Sequence, residues 1–183
     1  MKIAVIVGSL RKGSYNRMIA KALCALAPSG TQCDIVEIGN LPLYNPDLDE
    51  GAVPPAWEEF RKRIRGADAV LFVTPEYNRS VPGPLKNAID VGSRPYGKSV
   101  WSKKPAAVVS VSPGAIGGFG ANHHLRQSLV FLDMPAMQQP EAYVGGAASL
   151  FDEQGALKVE STREFLRKFL DAFAAWIERN PAR

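Results

Sequence analysis

Short apolar runs alternate along this chain with segments of helical periodicity. The first run, residues 2–7 (KIAVIV), is almost continuously apolar and ends at Gly8. Such a run is typical of a central parallel strand covered on both faces, whereas a half-exposed strand alternates apolar with polar residues. The N-terminus is therefore predicted to form the first strand of an α/β sheet.

Four more predicted strands alternate with predicted helices. The strands are 33–38, 67–74, 105–111 and a short one near 134–137, and Pro-rich loop 41–55 precedes the second helix. Three of the predicted helices cover 14–27, 82–91 and 161–178. A further helix, after the Pro-rich loop, carries Trp57, Phe60 and Ile64 on one face, and another is capped by Asn122 and reaches Leu132. Right-handed crossovers then predict an open, doubly wound sheet of five parallel strands in the order 2-1-3-4-5, with helices on both faces.

The composition excludes several classes of protein. Apolar residues make up 46% of the 183 residues, and no run approaches the roughly 20 apolar residues that span a bilayer. The chain starts directly with a strand pattern, without the features of a signal peptide, so a soluble cytoplasmic protein is expected. The net charge of +4 suits anionic partners such as nucleotides. The basic residues are scattered, however, so no nucleic-acid partner is expected.

The two cysteines, Cys24 and Cys33, fall on a predicted helix and a predicted strand. They lack Cys-x-x-Cys spacing and have no neighbouring histidines, so neither a metal site nor a dithiol site is expected. Both are interpreted as small packing residues.

The loop after the first strand, GSLRKGSYNR at 8–17, joins a buried strand to a helix N-terminus. Unpaired N–H groups and the helix dipole favour an anion there. Ser14 stands where an ATP-binding loop has lysine, and Leu10 replaces the glycine that admits a pyrophosphate. The loop therefore suits a terminal monophosphate, with an ordinary capped turn as the alternative.

Two further loops are expected at the same edge of the sheet. The loop TPEYNRSVPG at 74–83 offers an aromatic face and an amide to a flat polar ring such as a flavin, unless it is only a proline-pinned turn. The loop SVSPGAIGGFG at 110–120 has glycines that let a ligand approach the backbone. Because strands 1, 3 and 4 are adjacent in the predicted sheet, the three loops are expected to form one site.

These segments resemble the NADPH-dependent FMN reductases, and among them the bacterial quinone and chromate reductases of flavodoxin-like fold. The resemblance covers nearly the whole chain and implies a single flavodoxin-like FMN-binding domain over 1–183. It is carried by GSLRKGSYN at 8–16, PEYN at 75–78, SVPGPLKNAID at 80–90 and HLRQSLVFLD at 124–133. Arg79 and Pro113 depart from what relatives often carry.

The resemblance also implies site residues. Those for the FMN phosphate are Ser9, Arg11, Ser14, Tyr15 and Asn16, and those flanking the ribityl chain and ring are Pro75, Glu76, Tyr77, Asn78, Ser112 and Gly114. No catalytic side chain is assigned. His123 and His124, near a helix start, are interpreted as surface or packing residues, and no metal is expected.

The resemblance implies an oxidoreductase that passes two electrons from NADPH or NADH through FMN to a small acceptor. Quinones, azo compounds, chromate and free flavin all stay open as acceptors. A flavodoxin-like one-electron carrier and a non-catalytic nucleotide-binding module are the alternatives. A homodimer or homotetramer is expected, because relatives assemble and because segment 92–103 carries Tyr96 and Trp101 in a predicted surface loop, with a Trp101 that only caps its own core as the alternative.

Overall fold

Five parallel strands form one sheet in the computed structural model, which describes residues 1–182. The strands are β1 (Lys2–Val7), β2 (Gln32–Val36), β3 (Ala69–Thr74), β4 (Ala106–Val111) and β5 (Ala142–Val144). Their order is β2-β1-β3-β4-β5, which confirms the predicted topology. Arg183, the last residue of the predicted domain, lies outside the described residues.

Helices cover both faces of the sheet. They are α1 (Tyr15–Leu26), α2 (Pro46–Glu50), α3 (Pro55–Arg65), α4 (Gly83–Gly92), α5 (Phe119–Phe131) and α6 (Glu160–Arg179). Helices α1 and α6 pack on one face, and α3, α4 and α5 pack on the other. The short helix α2 lies inside the predicted loop 41–55. Within residues 1–182, no helix has the length and apolar character needed to cross a bilayer.

The two-sided burial of the central strands explains their continuous apolar character. In β1, Val5 faces α1 and α6 while Ile6 faces the opposite helices, and both are fully buried. Every residue of β3 and of β4 is likewise buried. Because successive side chains point to opposite faces, a strand covered on both sides needs apolar residues at every position.

The fifth strand lies further along the chain than predicted. Near 134–137 only an isolated bridge forms, between Ala106 and Ala136. Pro135 accepts a hydrogen bond from the Ala106 backbone but has no N–H to donate, so a regular ladder cannot extend through it. The chain instead pairs as β5 with Val109–Val111, at the carboxyl end of β4.

The predicted cap of α5 is also wrong. The helix begins at Phe119, after Gly118 in the left-handed conformation (φ 76°), and Asn122 lies inside it with no exposed surface. The Asn122 amide donates to Ser110 Oγ at 3.2 Å and to the Ala142 carbonyl at 3.3 Å. Asn122 therefore joins α5 to β4 and to the edge strand β5 instead of capping the helix.

Trp101, expected in a surface loop, is fully buried. Its indole nitrogen donates to the Ile89 carbonyl at 2.9 Å, and its ring packs 5.9 Å from the rings of Phe60 and Phe72. Trp101 thus completes its own core. The exposed aromatic surface of segment 92–103 comes from Tyr96, which is 89% exposed.

Candidate functional site

Three loops meet at the carboxyl edge of the sheet: the first loop (8–14), the second loop (75–82) and the third loop (112–118). The Gly8 N–H donates to the Val73 carbonyl at 2.9 Å, which fastens the first loop to the end of β3. The Asn16 side-chain amide donates to the Val111 carbonyl at 3.4 Å, which fastens the start of α1 to the end of β4. The structure thus brings the three predicted loops together.

Gly8 allows the first and second loops to pack tightly. A Cβ at this position would lie 3.1 Å from Pro75 Cδ and 3.2 Å from both Leu85 Cδ2 and Pro82 Cγ. Few real contacts are that short, so any larger residue would push the two loops apart.

The first loop presents free cations beside a capped helix N-terminus. Ser14 is the N-cap of α1, and its buried Oγ accepts a hydrogen bond from the Arg17 N–H at 3.4 Å. Arg11 and Lys12 are exposed and form no ion pair within residues 1–182. The helix dipole and these cations both favour an anion at the loop.

Two side chains at the N-terminus of α1, Tyr15 and Arg17, contact other parts of the chain and not the first loop. The Arg17 guanidinium pairs with Glu37, and this hydrogen bond lowers the pKa of the Glu37 carboxyl. The Tyr15 ring stacks on Phe151, with centroids 6.1 Å apart and planes 9° from parallel. Tyr15 therefore packs against the core, while Arg17 is held at the side of α1.

Asn16 carries an unused buried acceptor. The residue is 5% exposed, and Asn16 Oδ1 has no hydrogen-bond partner among the described residues. Leaving a buried acceptor unpaired costs about 1–3 kcal/mol. A ligand that brings hydroxyl groups to the junction of α1 and β4 would supply the missing donor.

The second loop contains a tight turn. Tyr77 and Ser80 exchange two backbone hydrogen bonds, at 3.1 and 2.9 Å, and the central residues Asn78 and Arg79 have φ of 51° and 62°. Two positive φ angles are typical of a type I′ turn, in which asparagine is favoured and arginine is not. The turn leaves Tyr77 49% exposed at the edge of the site.

Glu76 holds the second loop against α5. Its side chain is only 13% exposed, and Glu76 Oε2 accepts a hydrogen bond from the Ala121 N–H at 3.0 Å. Its other oxygen lies 3.4 Å from the Arg79 guanidinium. A Cβ on Gly120 would approach within 2.9 Å of Glu76 Oε2, so this contact also requires glycine. Glu76 is thus a positioning residue, because its carboxylate is held by the backbone of α5 and is not freely solvated.

The third loop is pinned to the end of β5. The Ser112 N–H donates to the Val144 carbonyl at 3.0 Å, and Ser112 Oγ accepts from the Gly114 N–H at 3.1 Å. The Gly146 N–H in turn donates to the Gly114 carbonyl at 3.3 Å. Gly114 remains exposed, so this backbone is both fixed and accessible.

The third loop is bordered by a cluster of aromatic side chains, and the sequence did not indicate this cluster. Phe119 and His123 lie with ring centroids 4.2 Å apart, and His123 Nε2 lies 2.9 Å from Tyr143 Oη. Burial and a hydrogen bond with Glu141 raise the pKa of Tyr143 to about 12. Tyr143 could not be placed here from the sequence, because its strand was predicted elsewhere.

The donor set of the three loops fits FMN. The first loop offers cations and a helix N-terminus to a phosphate monoester, Asn16 offers an acceptor to a hydroxylated chain, and Tyr77 offers a face to a planar ring. No base is paired with a nucleophile in these loops. Within residues 1–182, no group of three or more His, Cys, Asp or Glu side chains could hold a metal ion.

Comparison with known proteins agrees with this fit. The family model for NADPH-dependent FMN reductase matches residues 1–149. The chain is 69% identical over 180 residues to a quinone reductase of Pseudomonas putida, with 98% of this chain and 96% of that protein covered. It is 49% identical over 177 residues to 2-hydroxy-1,4-benzoquinone reductase of a Burkholderia species, with 97% and 96% covered.

Solved structures show the same similarity. FerB, a flavoenzyme NAD(P)H:(acceptor) oxidoreductase from Paracoccus denitrificans, superimposes with a TM-score of 0.92 at 44% identity, covering 98% of each chain. A flavodoxin from Pseudomonas aeruginosa superimposes with a TM-score of 0.59 at 17% identity, covering 95% of this chain and 99% of that one. The second match concerns the fold alone.

Proposed function

Because this chain belongs to the NADPH-dependent FMN reductase family, it is an NAD(P)H-dependent oxidoreductase that uses FMN, and we propose that the three loops hold the flavin for quinone reduction. Its relatives are quinone and benzoquinone reductases, which makes quinones the acceptor class best supported. Azo compounds, chromate and free flavin stay predictions. We place the activity in one FMN-binding domain over 1–183, with a cytoplasmic location.

The observation that carries the site assignment is the unpaired Asn16 Oδ1 where α1 meets β4. Asn16 Oδ1 would accept a hydrogen bond from a ribityl hydroxyl of bound FMN. Ser14 uses its oxygen to cap α1, which leaves the hydroxyl proton free to donate to a phosphate oxygen. Arg11 supplies a charge-assisted hydrogen bond to the same phosphate.

The second and third loops flank the ring. Bound FMN supplies the hydride-accepting chemistry, and the chain supplies binding and orientation. Tyr77 offers its exposed face, while Glu76 sets the position of the second loop through Ala121. Ser112 and Gly114 present a backbone that is already held by β5. Such fixed groups need no rearrangement when the ring is bound.

The assembly proposed here is a homodimer whose contact lies on α4 and α5. A groove of about 540 Å³ between these helices is lined by Ser80, Lys86, Arg94, His124 and Phe131 among others. Phe131 is 78% exposed and shares an adjoining depression with Tyr96, so apolar surface extends along this face.

The same face reaches the second loop. Ser80 closes the turn of that loop and lies 3.0 Å from His124 Nδ1. A partner covering the groove would therefore contact the edge of the flavin site, as in a two-fold dimer with its active sites near the interface. A tetramer built from two such dimers is compatible with this arrangement.

Flavin identification and anaerobic reduction test the proposed function. Heat-released flavin, separated by chromatography, is expected to be FMN, since Leu10 leaves no glycine for a pyrophosphate. Anaerobic NADPH should bleach the visible spectrum of the holoprotein, and 1,4-benzoquinone should restore it. The same protein stripped of flavin is the control. Mainly FAD, or no flavin bound after reconstitution, would contradict the proposal.

A further inference from the structure

Apolar surface is exposed beside the third loop, on Ile116 and Phe119. Ile116 is 58% exposed, and Phe119, the first residue of α5, is 47% exposed. The FMN contacts proposed above use neither residue. Exposed apolar surface at the edge of a ligand site marks a place where an apolar group binds, because covering that surface removes it from water.

The Phe119 ring is held in place by two other rings. His123 lies one turn further along α5, with its ring centroid 4.2 Å from that of Phe119, and the Tyr143 ring lies 5.3 Å away. His123 Nε2 lies 2.9 Å from Tyr143 Oη, which joins the two supporting rings. Tyr143 is itself close against the third loop, since a Cβ on Gly117 would lie 3.0 Å from Tyr143 Cβ. The exposed surface of Phe119 is thus fixed relative to this loop.

The same turn of α5 is also fastened to the second loop. The Ala121 N–H donates to Glu76 Oε2 at 3.0 Å, and a Cβ on Gly118 would lie 3.7 Å from Glu76 Cβ. Phe119 stands between Gly118 and Ala121 in the chain, and the half-exposed Tyr77 follows Glu76. Phe119 therefore lies where the two loops that flank the proposed flavin ring meet.

Given the function proposed above, we propose that Phe119, with Ile116 of the third loop, binds the fused ring of a bicyclic quinone and so selects such quinones among the acceptors. Aromatic rings gain from offset or edge-on contact with a second ring, which suits a flat acceptor. The two side chains expose far less surface than the roughly 800 Å² per partner of a stable protein interface, so a small molecule fits this surface better than a second chain. Monocyclic quinones and inorganic oxidants lack the ring that makes this contact.

Equilibrium dialysis of the oxidised, FMN-loaded protein tests the proposal without turnover. 2,3-Dimethyl-1,4-naphthoquinone and tetramethyl-1,4-benzoquinone are matched probes, because both are fully substituted and do not add thiols, but only the first has a fused ring. Phe119→Ala should raise the dissociation constant of the naphthoquinone about tenfold and that of the benzoquinone less than about twofold. Val130→Ala, an exposed truncation near the end of α5, should change neither.

A second variant separates the aromatic contact from apolar bulk. Phe119→Leu keeps an apolar side chain but removes the ring face, so its affinity for the naphthoquinone should lie between those of Phe119→Ala and the unmodified protein. Equal losses for the two quinones, or unchanged dissociation constants in both variants, would overturn the proposal. Unchanged quinone affinity together with a loss of assembly in sedimentation would assign the surface to a second copy of the chain and would overturn it as well.

Anaerobic reduction keeps the failure of this proposal distinct from a failure of the proposed function. NADPH should bleach the flavin of the unmodified protein and of Phe119→Ala at the same rate, and their FMN contents should be equal. In turnover, Phe119→Ala should raise the KM for the naphthoquinone and leave the kcat/KM for ferricyanide unchanged. If NADPH does not bleach the unmodified protein, the proposed function is wrong. If bleaching is normal and Phe119→Ala binds both quinones as before, only the role of Phe119 is wrong.

Discussion

The Asn16 side chain donates to the Val111 carbonyl at 3.4 Å while its own buried oxygen lacks a donor among residues 1–182. Buried Asn87 is the opposite case, because its oxygen accepts from the Tyr44 N–H at 2.8 Å and its amide donates to the Leu41 and Pro42 carbonyls. One buried asparagine is thus fully paired, and the other is left with an unpaired acceptor, among residues 1–182, at the proposed flavin site.

Asn16→Leu should separate flavin affinity from stability. The variant removes the proposed acceptor for a ribityl hydroxyl, so the free energy of FMN binding should become less favourable by about 1–3 kcal/mol. Unfolding of the flavin-free protein should change by less than about 1 kcal/mol, since the lost bond to Val111 is offset by removal of an unpaired atom. Flavin fluorescence titration and urea unfolding measure the two quantities.

Asn87→Leu is the matched control for this experiment. It should destabilise the flavin-free protein by about 1–3 kcal/mol for each backbone partner left unpaired, and leave FMN affinity of the folded protein unchanged. If both variants changed stability and affinity in parallel, Asn16 would have a structural role only.

Arg11→Ala should weaken FMN binding without affecting the fold. Arg11 is exposed and has no ion-pair partner within the described residues, so its loss from the flavin-free protein removes no internal contact. The expected loss of FMN binding free energy is about 1.5–3 kcal/mol, the range for a hydrogen bond to a charged group. Arg167→Ala, at an exposed site on α6, controls for net charge. An unchanged dissociation constant would place the phosphate elsewhere.

Arg61→Met should be among the most destabilising single changes in the chain. Arg61 and Asp49 form a bidentate pair at 2.8 Å with both side chains 5% exposed, and Arg61 also donates to the Val91 carbonyl. Removing the guanidinium leaves the Asp49 carboxylate buried and alone, at a cost of about 3–5 kcal/mol.

Glu160→Gln provides the contrast for the buried pair. Glu160 pairs with Arg163 at 3.0 Å on the surface of α6, with side chains 66% and 36% exposed, and its loss should cost less than about 1 kcal/mol. Chemical unfolding at matched flavin loading compares the two variants. Similar losses of unfolding free energy in the two variants would show that burial does not make an ion pair more costly to break.

Tyr143 should ionise later than exposed tyrosine. Its pKa is raised to about 12, above the usual value of 10.0, so the folded state keeps this proton when the unfolded state has lost it. The stability linked to this proton is therefore complete below pH 10 and is lost as the pH rises towards 12. In an absorbance titration at alkaline pH, Tyr143→Phe should remove a late transition from the curve of the unmodified protein.

Phe131→Arg should disrupt the proposed dimer. Phe131 lies at the exposed end of α5 beside Tyr96, and a charge there would be buried without a partner in the α4–α5 contact. Sedimentation should show a dimer or tetramer for the unmodified protein and a monomer for the variant. Leu43→Arg, at a site 80% exposed in the loop after β2, should leave assembly unchanged. A monomeric unmodified protein at micromolar concentration would overturn the dimer.

Strands β1, β3 and β4 could be predicted from the sequence because the pattern that marks each of them is local. Residues 2–7 and the later apolar runs are buried on both faces, and that burial appears directly as uninterrupted apolar sequence. The order of the strands followed from the alternation of strands and helices and the handedness of crossovers. The position of the three loops followed in turn, since the carboxyl ends of β1, β3 and β4 meet at one edge.

The contacts that shape the site could not be predicted in this way. The bond from the Ala121 N–H to Glu76 joins residues 45 positions apart, and the free oxygen of Asn16 depends on where Val111 ends its strand. Neither residue type nor spacing encodes such pairs. The sequence indicated which segments line the site, and only the packed structure decided which of their atoms were already bonded.

The same division between local sequence and tertiary packing applies to Trp101, Tyr143 and the two cysteines. The sequence determined the residue types and the helices or strands that carry most of them, because propensity and periodicity act over a few neighbours. Tertiary structure alone decided that Trp101 is covered, that Tyr143 pairs beside β4 and that Cys24 and Cys33 pack against the same apolar cluster. The physical reason is that burial and contact depend on which distant segment covers a side chain, and that choice is made by the packing of the whole chain.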